Sequence, residues 1–516
     1  MSNFYDKVGC AATADWLRSP VTLMMATLVI IYFSLLVKRF IIKTKPSPPL
    51  PGPIGLPILG HLLFIKPDFL QYVTKQSQIH GPIIKLQLGR KVYIIISSPS
   101  IAKQILKDHD AIFANRDIPV AAIKGTFGGL DIVWRSNGPE LYKLRKLVVS
   151  EIMSNKSLDA CYEFRRREIQ HMVKNIRGKI GSPINLSEQI FLTAFNVTIN
   201  MLWGGSLNGE ESNLGLELKD QFKEFVKLMV KPNISDMFPM LRRFDLQGIE
   251  SKAKKHISWL YGFFESVIEH RTKHGEGPKM ADSKDFLQQL LELNLTGDAK
   301  TSLSMKEIKA MLLNIVTGAT DTTFTTMEWA MTELLRHPDK LQRVVEELDA
   351  IIGNQNIVEE SHLPRLLYLE AVVKETLRIH PPAPLLMPHM PSETTVVAGY
   401  TIPKNSNIYF NVWAIQMDAE FWEDPLQFEP ERFLNAIEKR NYKGNSFNFF
   451  PFGSGRRICV GISMAEKIMM LMLATLLHCF EWKLPNGQKP DVKERLHLLL
   501  SKVEPLVVVP IARSSK

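Results

Sequence analysis

The chain has 516 residues and a mass of 58.7 kDa, too long for a small module and long enough for several domains or one large core with an appendage. Apolar residues make up 45% and charged residues 22%, which excludes wholesale disorder and a many-span membrane protein. The four cysteines (Cys10, Cys161, Cys459, Cys479) contain no C-x-x-C pair, so a disulfide scaffold and a zinc cage of paired cysteines are excluded too. The net charge of +10 is spread over runs such as 165–167 and 252–255. It reads as a solvated face or as attraction to anionic lipid or an acidic partner. No zinc-finger or RNA-motif pattern points to nucleic acid.

Residues 19–37 carry no charge and are rich in Leu, Ile, Val and Met. As a helix they reach roughly 28 Å, close to the apolar thickness of the endoplasmic reticulum membrane. A cleaved signal peptide carries its basic residues before the apolar run. Here Lys38, Arg39, Lys43 and Lys45 follow it. Because positive charge stays cytosolic, the order predicts a lumenal amino terminus (1–18), a single-pass anchor (19–37) in contact with membrane lipid, and a cytosolic remainder. Residues 38–60 are basic and then proline-dense (Pro46, Pro48, Pro49, Pro51, Pro53). Prolines at this spacing favour a stiff extended hinge over a helix.

Past residue 60 the pattern is mostly helical, with strand-like runs near 83–96 and 395–412. No repeat or composition break divides it, so 61–516 is expected to be one helix-rich domain with small β-sheets. The clearest helix starts at Ser304, where Ser304 and Glu307 form a capping box, and Pro338 stops it. Near its centre lies Gly318-Ala319-Thr320-Asp321-Thr322-Thr323, a stretch of low helix propensity with an acid that is costly to bury alone. These side chains either hydrogen-bond back and bend the helix, or flank a groove opened in a buried helix. A second helix, about 366–379, places Glu375 and Arg378 on one face.

The decisive stretch is Phe452-Gly453-Ser454-Gly455-Arg456-Arg457-Ile458-Cys459-Val460-Gly461. Its glycines let backbone approach a large flat ligand, and its arginines put positive charge beside Cys459. An apolar helical pattern begins at Ile462, so amide donors and the helix dipole are expected to favour the thiolate. A thiolate is a strong axial ligand to haem iron.

F-x-x-G-x-R-x-C-x-G resembles the haem-binding signature of cytochrome P-450 monooxygenases. A chance match is expected in roughly 1 in 10,000 chains of this length, from average residue usage. The resemblance extends over nearly the whole chain. It implies the cytochrome P-450 fold, with 61–516 as a haem-thiolate catalytic domain. It implies haem b with Cys459 as the axial iron ligand, dioxygen, and electrons from NADPH through a flavoprotein NADPH–cytochrome P-450 reductase. Asp321 and Thr322 would match the acid–alcohol pair that delivers protons. Glu375, Arg378 and Arg432 would form the family's buried structural network. Arg457, Arg145 and His389 would meet the haem, with Phe452 packed by the cysteine ligand. Three departures stand out. Leu141-Tyr142 replaces a common tryptophan–arginine pair, and Leu141 has no indole N–H to offer a propionate. Gly318-Ala319 inverts the usual alanine–glycine order. His389 stands where an arginine is common, which would make that contact weaker and pH-dependent.

The expected reaction is insertion of one oxygen atom into a C–H bond of a small apolar molecule. The lining by resemblance includes Phe127, Leu130, Gly318, Leu385, Leu386 and Leu499, with few charges. Residues 357–403, with Glu359-Glu360-Ser361-His362-Leu363-Pro364 and Pro391-Ser392-Glu393-Thr394-Thr395, resemble a plant family containing sesquiterpene hydroxylases such as cadinene hydroxylase and valencene oxidase. That implies allylic hydroxylation, on occasion continued to the ketone. A flavonoid or phenylpropanoid substrate is the alternative. A reductase-independent haem-thiolate isomerase or dehydratase and a non-catalytic haem protein are the rival functions.

Overall fold

A computed structural model describes residues 48–65, 68–204, 212–274, 285–296, 302–353, 357–434, 440–487, 489–497 and 499–513, with Met24, Thr27, Val29 and Tyr32 as isolated helical positions. The lumenal segment, the rest of the anchor and the hinge before residue 48 lie outside the described residues. Among those described, the one helix long and apolar enough to cross a membrane is Ile462–Cys479, and 67% of it is buried inside the protein. It is a core helix.

The body is helix-rich with small sheets, as its patterning predicts, and four sheets form among the described residues. Strands β1 (Ile83–Leu88) and β2 (Lys91–Ile96) form a hairpin. Strand β3 (Ile184–Asn185) follows, then β4 (Thr395–Val397), β5 (Tyr400–Ile402) and β6 (Asn407–Phe410), the last pairing parallel to β2. Near the carboxyl end come β7 (Phe480–Lys483), the hairpin of β8 (Glu494–Leu496) and β9 (Leu500–Lys502), and β10 (Val507–Ala512), which lies between β3 and β7.

The central helix runs Met305–Arg336. Its capping box is formed in both directions, Ser304 Oγ accepting from the Glu307 amide and the Glu307 carboxylate accepting from the Ser304 amide at 2.9 Å. At 32 residues the helix spans roughly 48 Å. It is flanked by the helices Leu186–Trp203, Leu367–Ile379 and Ile462–Cys479. Burial of these apolar faces makes one continuous core, the main favourable term in holding the domain together. Two smaller clusters pack around the β1–β2–β6 sheet.

The middle of the central helix is where its burial lapses. Thr317, Thr322 and Thr326 each donate to the carbonyl four residues back, at 2.8, 2.6 and 3.0 Å. The helix nevertheless continues without interruption. Gly318 is exposed although its neighbours Val316 and Thr320 are buried, and no atom lies within 4 Å of where a Cβ would project. Back-bonding and a groove therefore coexist, and the missing side chain makes the opening.

Candidate active site

Cys459 sits at the end of a turn held by its neighbours. Its amide donates to the Phe452 carbonyl at 3.0 Å, and the Phe452 ring meets Tyr442 edge-on at 5.3 Å. Arg145 donates to the Ile458 carbonyl at 2.6 Å. Gly455 has φ +67°, and a Cβ there would lie 2.4 Å from the Leu106 carbonyl oxygen. This glycine is therefore required by packing of the loop against residues 106–110. Arg456 is turned outward and paired with Asp110 at 2.9 Å, while Arg457 is turned inward.

The thiol of Cys459 is accessible. Burial raises its pKa, opposed by the Gly461 amide, which donates to Sγ at 3.3 Å, and by Arg145. The helix begins at Ile462, three residues on, and a single amide reaches the sulfur. A bound cation would supply the missing stabilisation.

Three buried or half-buried arginines converge beside this loop. Arg457 donates to the carbonyls of Ala114 at 2.6 Å and Ile132 at 3.2 Å, and also to that of Arg135. Burial and then Arg145 pull its pKa down to about 10. Arg116 donates to the Pro388 carbonyl at 2.6 Å and to that of Met387. Its Nε is buried without a partner, and burial, Arg457 and Arg145 lower its pKa to about 9. Burial also lowers that of Arg145. Mutually repelling cations and an orphaned donor call for an anion at this place. His389 is buried beside them, its Nδ1 3.0 Å from the Phe113 carbonyl. Burial, reinforced by Arg116 and Arg457, holds it well below the usual histidine range. Arg116 was not singled out by the sequence.

On the central helix Asp321 is half-buried and has no hydrogen-bond partner among the described residues. Burial raises its carboxyl to about 6, against attraction from Lys223. Thr322 is half-buried beside it. Of the expected lining, Phe127, Leu130, Leu386 and Leu499 are half-buried. Phe127 stacks on Tyr261 at 4.8 Å, and Leu385 is taken up by the core cluster with Leu70 and Leu500.

Glu375 and Arg378 are fully buried and joined by two 2.7 Å hydrogen bonds. Arg378 also donates to the carbonyls of Gln416, Pro425 and Gln427 at 3.0, 2.8 and 3.2 Å. Glu375 accepts from the Glu429 amide at 2.9 Å and from Arg432 Nε at 3.3 Å. This network ties the 416–432 segment to the core.

Residues 49–509 match the family described as cytochrome P450. The chain belongs to the cytochrome P450 family. A flavonoid 3'-monooxygenase of Crocosmia x crocosmiiflora is 39% identical over 512 residues, covering 95% of this chain and 99% of that protein. Geraniol 8-hydroxylase of Catharanthus roseus is 35% identical over 501 residues (96% and 99%), and carnosic acid synthase of Salvia pomifera 35% over 470 (89% and 93%). Among solved structures, a zebra fish cytochrome P450 with progesterone superposes with a TM-score of 0.74 at 25% identity, covering 86% of this chain and 99% of that one. The chain is thus a haem-thiolate monooxygenase, using haem iron, dioxygen and electrons from NADPH through a reductase. The geometry fits haem: an accessible sulfur, clustered cations with an orphaned buried donor at Arg116 Nε, and a helix groove without a side chain.

Proposed function

We propose that the protein is anchored in the endoplasmic reticulum membrane by residues 19–37, with its catalytic domain cytosolic, and hydroxylates a sesquiterpene at an allylic carbon. The apolar character of the residues left half-buried near the site, Phe127, Leu130, Leu386 and Leu499, carries the substrate reading. Such walls bind chiefly by burying apolar surface. The membrane reading is supported by exposed Ile54 and Ile58 in the hinge and Leu63 and Phe64 just after it, and by exposed Met240, Phe244 and Leu246. The first group reaches the second through the β1–β2 turn, where the Arg90 amide donates to the Met237 carbonyl at 3.0 Å.

Cys459 would hold the haem iron, with Arg116, Arg145, Arg457 and His389 disposed to meet its carboxylates. When bound, haem supplies the activation of dioxygen and transfer of one oxygen atom to carbon. This chain's own contribution is aim and protons. Gly318 leaves room against the helix. Thr322 Oγ1 donates to the Gly318 carbonyl at 2.6 Å, which leaves its lone pairs as acceptors until the hydroxyl rotates and donates into the groove. Asp321, held near pH 6, exchanges protons readily at physiological pH.

A second reading, a flavonoid or phenylpropanoid substrate, is favoured by one observation. Asn314, one turn before Gly318, donates to buried Asp131 at 2.8 Å, and its own Oδ1 is unpartnered. A polar pair there suits an oxygenated substrate better than a hydrocarbon. Vesicles carrying the full chain and a P450 reductase, fed a mixed terpene and flavonoid panel with products identified by mass, test both readings. Oxidation of phenolic compounds alone would overturn the terpene assignment.

A further inference from the structure

The hairpin β8–β9 carries Leu499 at its turn, and something must fix that turn, because a two-stranded hairpin is marginal by itself. Two backbone groups of Leu500 do part of this. Its amide donates to the Pro382 carbonyl at 2.9 Å, and its carbonyl accepts from Trp329 Nε1 at 3.0 Å. The remaining link is a buried histidine. His380, directly after the Leu367–Ile379 helix, places Nε2 2.9 Å from Glu333 Oε1 of the central helix and Nδ1 2.6 Å from Glu494 Oε1 of β8. Its ring stacks on Trp329 at 3.9 Å and 4°.

Both ring nitrogens face carboxylate oxygens, which accept and do not donate when ionised. Neutral imidazole has one N–H, so both contacts are hydrogen bonds only if the ring is protonated or one acid keeps its proton. We propose that His380, as an imidazolium, clamps the β8–β9 hairpin to the central helix and thereby positions the substrate-facing turn at Leu499. This rests on the reading of that turn as part of the substrate wall.

The charges around the ring favour the cation. Glu333 and Glu494 bracket it. Arg336 and His337 lie on the far side of Glu333, at 3.9 and 3.5 Å from it. Lys502 of β9 lies across the Trp329 ring, 5.0 Å from its centroid, and Glu328, Asp491 and Glu333 all favour its charge against burial. Burial lowers the pKa of His380, but the hydrogen bonds to Glu333 and Glu494 outweigh it and the net shift is upward. Glu333 is held low by the same contact, against its own burial. For a base whose folded pKa is raised, the clamp is at full strength below the ordinary histidine value of about 6.5 and is lost as pH rises through the higher folded pKa.

The test uses the full-length, haem-loaded protein in lipid vesicles, with Glu494→Gln, His380→Gln and Leu499→Ala. Amide hydrogen exchange across 494–503 is compared at about pH 6 and about pH 9, alongside product ratio and the haem-thiolate spectrum. In the unaltered protein, protection at Leu500 and Val503 should fall about tenfold at the higher pH beyond the intrinsic rate change, as expected for loss of one hydrogen bond to a charged group. The product ratio should drift with it. Glu494→Gln should abolish both dependences while leaving the thiolate spectrum intact, and it serves even if His380→Gln fails to fold. Protection and drift in Glu494→Gln equal to those of the unaltered chain would overturn the clamp. A loosened hairpin with unchanged products would overturn its role in specificity if Leu499→Ala shifts the products. If Leu499→Ala also leaves them unchanged, the fault lies in the reading of the turn as substrate wall.

Discussion

Glu375→Gln keeps the shape of a buried side chain and removes only its charge. Arg378 is then left as a fully buried cation without the carboxylate it pairs with among the described residues. Breaking such a pair on one side costs about 3–5 kcal/mol, a large share of the total stability of a domain. The 49–509 region has an unfolding entropy near 1 kcal/mol/K, from about 2.1 cal/mol/K per residue. The thermal midpoint should therefore fall by about 3–5 °C. Substituting both partners, as Glu375→Gln with Arg378→Met, often restores stability where a buried pair serves only itself. Here it should not. Arg378 also satisfies the carbonyls of Gln416, Pro425 and Gln427, and each buried acceptor left alone costs about 1–3 kcal/mol. Thermal loss of the haem absorbance, measured at matched scan rates for the parent, single and double variants, reads this out. A double variant within a degree or so of the parent would refute the reasoning, because the pair would then be self-cancelling rather than the anchor of the 416–432 segment.

Gly318→Ala should fold, because its Cβ meets nothing within 4 Å and alanine improves helix propensity by about 1 kcal/mol. It should nevertheless weaken substrate binding by filling the groove, seen as a raised KM with an unchanged or higher thermal midpoint. Asp321→Asn should remove an inflection near pH 6 from the turnover profile. It should also stabilise the protein above that pH, since a carboxyl with a raised folded pKa favours the fold only while protonated; melting curves across pH check the sign. Thr322→Ala should leave the haem spectrum intact and raise the NADPH consumed per product, measured by stoichiometry. Arg116→Gln should lower haem retention on dialysis, because it removes a cation from the anion-seeking cluster.

What the sequence made legible was what short-range chemistry encodes. The capping box at Ser304 and the stop at Pro338 bound the central helix, and the missing side chain of Gly318 marks its opening. The loop ending in Cys459 carries a signature of fixed offsets within ten residues. Glu375 and Arg378 were recognisable through resemblance alone, since their spacing is that of an ordinary surface pair and their burial is a tertiary fact. Other features escaped because they depend on distant partners. Arg116 gains its importance from carbonyls at Met387 and Pro388, about 270 positions away. The lowered pKa of His389 follows from its burial, reinforced by two arginines brought beside it by folding. Leu385 is expected in the pocket lining by resemblance, and folding also makes it part of the core cluster that holds Leu70 and Leu500. The clamp at His380 joins three elements whose order in the chain gives no hint of their contact.

The central claim is that the sulfur of residue 459 is bonded to haem iron. X-ray absorption at the iron edge of the purified full-length protein tests it directly. A sulfur neighbour should be present in the parent and lost in Cys459→His, with the reduced carbon monoxide spectrum changing in step. Iron coordinated solely by nitrogen in the parent, or a spectrum indifferent to replacement of Cys459, would contradict the account.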